Sequence, residues 1–410
     1  MGNVKGNLVV GQSGGPTAVI NNSLVGVIHE AFRYDEIGDI YGMLHGISGV
    51  LNEEFIDLRR ESADTLETLR DTPASALGTV RYKVTKEDYE RLLKVFMAHN
   101  VRYFFYIGGN DSMDTTHKIH TLATQKGYEL HAIGVPKTVD NDLMETDHCP
   151  GYGSAARFVA AAVRNTGYDT EAMGASGPIK LMEIMGRNAG WMTAAAALAK
   201  DRPEDPPQLL YVPEHGVSLE KFVEDVRHWY RRLGYCIVAV SEGLKNEKDE
   251  EFTTSLGGRV EVDAFGHVRK GGVIEFLSEV LKESLGVSIR SDKPGYLQRS
   301  FGELMSPVDR EEAYMVGWAA VRAAMAGESD KMVTLLRMPG SQYEIQTGLA
   351  PLVQVANIER KLPPEFINAE GNGVTDAFLD YARPLIGGPL IRYARLRQYP
   401  IPKRLNIQVL

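Results

Sequence analysis

The sequence contains little cysteine. Its 410 residues include only two, Cys149 and Cys236, which lie far apart and in no spacing typical of metal ligands. A disulfide framework and a zinc site are therefore not indicated, and a reducing cytoplasm is the expected location. Long hydrophobic runs are absent too. The apolar stretch near the start is too short for a signal peptide or a membrane span. We expect no membrane association.

A surplus of basic residues is also missing. The net charge is −9 at pH 7, whereas nucleic acids and anionic membranes attract proteins rich in Lys and Arg. No repeat with a period of about 20 to 50 residues occurs, which excludes solenoids and propellers. What remains is a globular composition, with 43% hydrophobic and 24% charged residues. An anionic ligand would then need local positive charge.

Short apolar runs alternate with helical patterns, as in a parallel α/β sheet. Strands are predicted at residues 7–11, 40–44, 103–107, 131–135, 180–185, 209–212 and 236–240, and a helix from residue 16 to about residue 34. The strands fall into two groups, and the length exceeds that of one ordinary core. We predict two Rossmann-like α/β lobes, residues 1–150 and 151–410, with a cleft between them. A charge-rich stretch of about 245–272 is predicted to be an exposed excursion, and a C-terminal extension follows Pro384.

Polar clusters follow the predicted strands, at the end where open α/β sheets bind ligands. Residues 11–17 read Gly-Gln-Ser-Gly-Gly-Pro-Thr and lead into a helix whose free N–H groups would attract phosphate. Glycines also serve tight turns, so a purely structural role stays open. Residues 108–112 read Gly-Gly-Asn-Asp-Ser, and the carboxylate of Asp111 is expected to face the cleft. Helix capping by Asp111 and Ser112 is the alternative.

The densest cluster lies at residues 136–142, which read Pro-Lys-Thr-Val-Asp-Asn-Asp. Two carboxylates at i and i+2 can divide their roles, one acting as a general base and the other binding a hard metal such as Mg²⁺. A solvated surface loop is the alternative interpretation.

Three weaker signals follow. Residues 185–190 read Met-Gly-Arg-Asn-Ala-Gly, and their Arg187 could bind phosphate through paired hydrogen bonds. Glu242 comes after the strand at 236–240. Arg290, Tyr296 and Arg299 surround a Lys-Pro-Gly turn. Arginines on a surface are often merely solvated, so none of these signals is specific alone.

In this order the clusters resemble the phosphofructokinase family, over about residues 7–310. The matching motifs are Ser-Gly-Gly at 13–15, Leu-Gly-Thr-Val-Arg at 77–81, Gly-Gly-Asn-Asp-Ser at 108–112, Pro-Lys-Thr-Val-Asp-Asn-Asp at 136–142, Met-Gly-Arg at 185–187, Gly-Tyr-Leu-Gln-Arg at 295–299 and Ser-Pro-Val-Asp-Arg at 306–310. The resemblance implies the phosphofructokinase fold, with the active site in the cleft between two lobes. It also implies transfer of a phosphoryl group to the 1-hydroxyl of fructose 6-phosphate.

The resemblance assigns roles residue by residue. It implies that Asp140 is the general base, with Lys137 and Asp111 as further catalytic residues. The residues implied to hold fructose 6-phosphate are Thr138, Asp142, Met185, Gly186, Arg187, Glu242, Arg290, Tyr296 and Arg299. Those implied to hold the phosphoryl donor are Gly14, Gly15, Arg81, Gly109 and Lys137, and Mg²⁺ is expected at Asn110, Asp111 and Asp142. Arg290 is expected to reach the site of a neighbouring subunit, which implies a homodimer or a larger homo-oligomer.

Two positions bear on which phosphoryl donor is used. ATP-dependent members have glycine where this chain has Asp111 and Lys137, and pyrophosphate-dependent members resemble this chain. A carboxylate about 4 Å from a nucleotide phosphate costs about 4 kcal/mol at an effective dielectric near 20. We therefore expect reversible transfer from pyrophosphate, with an ATP-dependent enzyme and a catalytically silent regulatory subunit as alternatives. A dinucleotide-dependent oxidoreductase is not favoured, because no Gly-x-Gly-x-x-Gly opens the first helix.

Overall fold

The strands form three sheets in the structure, a computed structural model that describes residues 4–252, 260–262, 268–270, 272–397 and 399–404. All seven predicted strands are present, with bounds that differ by no more than three residues. Most of these strands are buried on both faces, so a run of apolar residues marks each of them in the sequence. In the fourth strand, for example, Phe104 and Phe105 point to opposite faces and are both fully buried, as expected where helices cover both faces of a parallel sheet.

The first sheet has seven strands in the order β13-β12-β5-β4-β1-β2-β3. They are β1 (Gly6–Gln12), β2 (Ile37–Met43), β3 (Phe55–Asp57), β4 (Val101–Gly108), β5 (His131–Pro136), β12 (Lys331–Arg337) and β13 (Ile345–Pro351). Neighbouring strands are parallel except in the outer pairs β2/β3 and β12/β13. The carboxyl ends of β1, β4 and β5 therefore meet at one edge of this sheet.

The second sheet has four parallel strands in the order β11-β6-β8-β7. They are β6 (Ile179–Ile184), β7 (Leu209–Tyr211), β8 (Cys236–Ser241) and β11 (Ile289–Asp292). A separate antiparallel pair consists of β9 (Val260–Val262) and β10 (Val268–Lys270). It lies within the predicted excursion at 245–272, much of which falls outside the described residues. Residues 247–250 are exposed as predicted, whereas Phe252 is buried.

Helices cover both faces of the two main sheets. In the described residues they are α1 (Ile20–Ala31), α2 (Ile47–Asn52), α3 (Ala63–Leu69), α4 (Lys86–Ala98), α5 (Asn110–Gln125), α6 (Tyr152–Met173), α7 (Trp191–Ala194), α8 (Leu219–Leu233), α9 (Val273–Leu285), α10 (Leu297–Ser300), α11 (Pro307–Met325) and α12 (Asp376–Ala382). Helices α1 and α11 share one core with the first sheet, and α4 and α5 pack on its other face. The second sheet lies between α6 and α7 on one side and α8 and α9 on the other. Among the described residues, no helix is both long and apolar enough to cross a bilayer.

The first helix was predicted to begin near residue 16, and this start is wrong. Helix α1 begins at Ile20, because Gly14 takes a positive φ of 71° and residues 13–19 form a turn. Gly14 and Gly15 therefore lie in this turn, several residues before the first helical residue. The sequence-based picture of a phosphate held directly by the first turn of this helix does not apply.

The chain returns to the first sheet after completing the second. Strand β12 pairs in parallel with β5, which gives the exposed hydrogen-bonding edge of β5 a partner. Residues 331–351 thus belong to the first sheet, contrary to the prediction that all of residues 151–410 lie in the second lobe. The chain then crosses back, since Leu362, Phe378 and Leu385 lie in the core of the second sheet. The division at residue 150 otherwise stays a prediction.

Candidate active site

A cavity of about 370 Å³ lies between the two sheets at the carboxyl ends of their strands. Its lining residues come from both lobes: Gly15, Arg81, Lys137, Thr138, Val139, Asp140, Asp142, Met185, Gly186, Arg187, Asn188, Ala189, Glu242, Arg299 and Glu359. Most of the residues proposed from the sequence thus meet in one place. The cleft between two α/β lobes is where such folds bind small molecules.

The motifs of the first lobe meet because their strands are neighbours. Ser13 N, after β1, donates to Ile107 O of β4, and Lys137 N, after β5, donates to Gly108 O. The Thr79 hydroxyl donates to Gly14 O at 2.8 Å and so joins the motif at 77–81 to the glycine turn. Four segments that are distant in sequence therefore form one wall of the cavity.

Lys137 is the buried cation of this wall. Its side chain is 4% exposed, and its Nζ donates to Gly15 O at 2.8 Å. Burial lowers the pKa of Lys137 to about 8, although the nearby charge of Asp140 opposes this change. A buried ammonium without a direct carboxylate hydrogen bond attracts anions strongly, because few other groups neutralise it. This end of the cavity suits a phosphate group.

Asp140 lies at the junction between the lobes. Its backbone N–H donates to Thr138 Oγ1 at 3.1 Å, which fixes the turn that presents the carboxylate. Burial raises the pKa of Asp140 to about 7, with further contributions from the negative charges of Asp142 and Glu242. A pKa near the working pH is what a general base requires.

Asp142 and Asn110 form the part of the site with unsatisfied oxygen atoms. Asp142 Oδ1 is buried and has no hydrogen-bond partner among the described residues, and burial raises the pKa of this carboxyl. The Asn110 amide is best satisfied with its Nδ2 donating to Val355 O at 3.0 Å and Ile358 O at 2.9 Å. Its carbonyl oxygen then occupies the position 3.5 Å from Asp142 Oδ2. Two oxygen atoms this close with no proton between them repel each other, and a bound cation would relieve that repulsion.

The second lobe supplies backbone donors and arginines. Gly186 N donates to Glu242 Oε1 at 3.2 Å, and Met185 N donates to Gln298 Oε1 at 3.1 Å. These bonds hold the loop after β6 against the segment after β8 and against α10. Arg187 is exposed and lines the cavity.

Arg299 brings a second cation close to the centre of the cavity. A Cβ placed on Gly15 would lie 2.5 Å from Arg299 Nη1, so the two lobes touch here. Its guanidinium stacks on Tyr296 at 4.5 Å from the ring centroid. Burial lowers the pKa of Arg299, as does the charge of Arg81. An anion bound between Arg299 and Arg81 would reduce their repulsion across the cleft.

Comparison with known proteins identifies the family. Residues 7–324 match the sequence profile of the family described as phosphofructokinase. The chain belongs to the phosphofructokinase family. The family and fold expected from the sequence are thereby confirmed.

Similar proteins cover the whole chain. One from Rhodospirillum rubrum, named pyrophosphate–fructose 6-phosphate 1-phosphotransferase, is 43% identical over 406 residues, or 98% of this chain and 99% of the relative. A protein of the same name from Xanthomonas campestris pv. campestris is 43% identical over 415 residues, or 98% of each chain. A crystal structure described as pyrophosphate-dependent phosphofructokinase from Nitrosospira multiformis superimposes with a TM-score of 0.86, at 40% identity and 98% coverage of both chains.

Six residues expected from the phosphofructokinase resemblance do not line the cavity: Gly14, Gly109, Asn110, Asp111, Arg290 and Tyr296. Arg290, on β11, donates to Asp169 Oδ2 at 2.9 Å and Thr170 Oγ1 at 3.1 Å. Tyr296 is 65% exposed and stacks on Arg299. Asp111 lies exposed in the first turn of α5. Gly109 precedes that helix as its N-cap, and a Cβ on it would approach Lys137 O at 3.8 Å.

Two residues near the site were not predicted from the sequence. Glu359 lines the cavity and accepts a hydrogen bond from Asn188 Nδ2 at 3.0 Å. Arg360 N donates to Asp142 O at 2.7 Å, and the Arg360 guanidinium donates to the carbonyl oxygens of residues 141, 146 and 147. Arg360 therefore fixes the loop that carries both carboxylates. Neither residue lies in a recognisable motif, and both follow β13, more than 200 positions after Asp142.

Proposed function

We propose that this chain reversibly transfers a phosphoryl group from pyrophosphate to the 1-hydroxyl of fructose 6-phosphate, forming fructose 1,6-bisphosphate and phosphate, as in glycolysis and gluconeogenesis. The observation that carries the proposal is Lys137, a buried cation next to Gly14 and Gly15 at the donor end of the cavity. Its Nζ lies 3.4 Å from the position that a Cβ on Gly14 would occupy. Pyrophosphate is small and highly charged, and a desolvated ammonium is matched to it.

Asp140 is assigned the role of general base. It takes the proton of the sugar 1-hydroxyl as that oxygen bonds to the transferring phosphorus. The bond from this phosphorus to the bridging oxygen of pyrophosphate breaks at the same time, and phosphate leaves with that electron pair. Phosphoryl transfer of this kind depends on positioning and charge neutralisation, which Lys137 and Arg81 supply on the donor side.

The second lobe is assigned the sugar phosphate. Arg299 and Arg187 bring positive charge for the 6-phosphate, and Glu242 can accept hydrogen bonds from sugar hydroxyl groups. The small residues Gly186 and Ala189, which line the cavity, allow close approach of the sugar. Binding on this side places the 1-hydroxyl toward Asp140, between the lobes.

Mg²⁺ is the proposed cofactor, and the residues present fit it. Asp142, with its unsatisfied buried oxygen, and the Asn110 carbonyl would hold the ion, with Asp111 at the edge of the site. Among the described residues, no three His, Cys, Asp or Glu side chains gather as a metal site built from them alone requires. Mg²⁺ commonly takes one or two carboxylates together with substrate phosphates and water. When bound, it neutralises phosphate charge.

We also propose that the enzyme is a homodimer or a larger homo-oligomer in which Arg290 reaches a neighbour's 6-phosphate. Arg290 lies outside the chain's own cavity, and the adjacent residues Leu297 and Tyr296 are 55% and 65% exposed. Both observations support a surface that another subunit covers. A cytoplasmic location is proposed as well. Both cysteines are free and buried, which suits a reducing compartment.

A panel of phosphoryl donors tests the proposal. Fructose 6-phosphate turnover is measured with pyrophosphate, ATP and polyphosphate, and the reverse reaction with fructose 1,6-bisphosphate and phosphate. We expect activity with pyrophosphate in both directions. Preference for ATP would favour the ATP-dependent alternative, and inactivity with every donor would favour the silent subunit. An Asp140→Asn variant prepared in parallel is the control for contaminating activity.

A further inference from the structure

A second cavity, of about 990 Å³, shares no lining residue with the candidate active site. Its wall includes the segment that leads into β7, with Lys200 and Gln208, and residues of the C-terminal segment 368–392, together with Arg164 of α6 and Trp229 of α8. The candidate active site lies at the carboxyl ends of the strands in the second sheet. This second cavity therefore lies at the opposite, amino end of the same sheet.

The lining of this cavity is apolar in its body and cationic at its edge. Leu198, Leu210, Leu379, Ile386 and Trp229 contribute apolar surface. The cations of the lining are Arg164, Lys200, Arg202, Arg383 and Arg392, and the carboxylates of the lining are Asp201 and Asp376. Positive charge thus exceeds negative charge in this lining, although the whole chain has a net charge of −9.

Two of the arginines in the lining already have partners. Arg164 donates to Ala199 O, Ile391 O and Asp201 Oδ1, and Arg202 pairs with Asp205 at 2.9 Å. Lys200 differs, because its ammonium makes no hydrogen bond or ion pair in the described part of the chain. It is half-buried, and burial lowers the pKa of Lys200, an effect that the negative charges of Asp205 and Glu204 oppose but do not cancel. An anion bound next to the ammonium would add to this stabilisation.

We propose that this cavity is a binding site for a small organic anion with an apolar body, whose charged group pairs with Lys200. The volume is at the upper end of the range for ligand pockets, about 300–1,000 Å³. The apolar wall, to which Trp229 contributes, would cover the body of the ligand. A small inorganic anion would leave most of this apolar surface uncovered.

Helix α12 connects this cavity to the catalytic loop. Asp376 and Leu379 of α12 line the cavity. Tyr381, on the same helix, donates to Asp147 O at 2.9 Å and accepts from Asn141 Nδ2 at 2.8 Å. Asn141 is the residue after Asp140. A ligand that shifts α12 would therefore shift the loop of the general base, and we infer that occupancy alters turnover. This second step rests on the proposed function, whereas the binding step does not.

The binding step is tested with 8-anilinonaphthalene-1-sulfonate, an organic anion with an apolar body whose fluorescence rises on binding. We expect saturable binding of one probe per subunit. Lys200→Arg should retain it, Lys200→Gln should raise Kd about tenfold, and Lys200→Glu should raise it further. Two controls should bind as wild type does: Lys94→Gln, at an exposed lysine of α4, and Arg299→Ala, in the active-site cavity. Thermal melts establish that each variant is folded.

Binding that is unchanged in folded Lys200→Gln and Lys200→Glu, or that is weakened by Arg299→Ala instead, would overturn the site. The second step is tested by the KM for fructose 6-phosphate and kcat, each with and without saturating probe. We expect a change of about fivefold or more in one of them, and a smaller change in Tyr381→Phe at equal probe occupancy. Unchanged kinetics in wild type with the probe bound would refute the connection through α12. Failure of the proposed function would instead appear as absent pyrophosphate activity, with Lys200-dependent binding intact.

Discussion

Replacing Asp140 by asparagine removes the proposed base and leaves the shape of the loop almost unchanged. The amide cannot take the proton of the sugar hydroxyl, so kcat should fall by about 10² or more, the scale of positioned acid–base groups. The KM for fructose 6-phosphate should change much less, because Arg299 and Arg187, the proposed ligands of the phosphate, are unchanged. Steady-state kinetics with pyrophosphate measure both quantities.

The pH dependence gives a second measurement on the same residue. With a pKa of about 7, Asp140 is ionised in about half of the molecules at pH 7 and in about one tenth at pH 6. kcat/KM should therefore fall about fivefold between pH 7 and pH 6, and about tenfold for each further unit below pH 6. An ordinary aspartate, with a pKa of about 3.9, would leave the rate flat in this range. Above pH 8 the rate should fall again as Lys137 loses its proton, since burial lowers its pKa to about 8.

Stability measurements exclude a trivial loss of activity. The raised pKa means that folding disfavours the ionised form of Asp140, so stability falls as the pH rises from about 4, and the full destabilisation is present above about 7. Asparagine removes that charge, and the Tm of Asp140→Asn at pH 8 should be equal to or above that of wild type. A folded Asp140→Asn protein with near-normal kcat, or one that keeps the acid limb of the pH profile, would refute the assignment.

Five further variants separate the other roles. Arg299→Ala should raise the KM for fructose 6-phosphate about tenfold or more and change kcat less, because a charge-assisted phosphate contact is lost in ground and transition states alike; an unchanged KM would move the phosphate elsewhere. Asp142→Asn should raise the Mg²⁺ concentration for half-maximal activity about tenfold, whereas the equally conservative Glu359→Gln should alter it less; equal effects would argue against Asp142 as the ligand. Asp111→Gly should yield detectable ATP-dependent activity with reduced pyrophosphate activity, and Lys137→Gly should reduce pyrophosphate use without a gain with ATP; equal effects on both donors would contradict their separate roles.

The strands and the clusters after them could be predicted because both depend on local pattern. Residues 103–107 and 236–240 are apolar on both faces, which only a sheet covered by helices satisfies. The polar residues after such strands then meet at one edge whatever lies between them. Lys137, Asp140 and Glu242 were found in this way.

What the sequence did not predict depends on long-range packing. The start of α1 was placed too early because the turn at Gly14 is set by contacts with residues 79 and 107. The return of β12 to β5, and the position of Arg360 under the loop at 141–147, join segments about 200 residues apart. No local pattern encodes such pairings. Arg360 reads in the sequence as one more surface arginine.

The central claim is that pyrophosphate is the phosphoryl donor, and the most direct test is the ratio of kcat/KM for pyrophosphate to kcat/KM for ATP in the wild-type enzyme. Both are measured at saturating fructose 6-phosphate and equal free Mg²⁺. A repulsion of about 4 kcal/mol between a carboxylate and a nucleotide phosphate corresponds to a ratio of about 10³. We therefore predict a ratio of about 10³ or more in favour of pyrophosphate. A ratio near one, or a preference for ATP, would contradict the account.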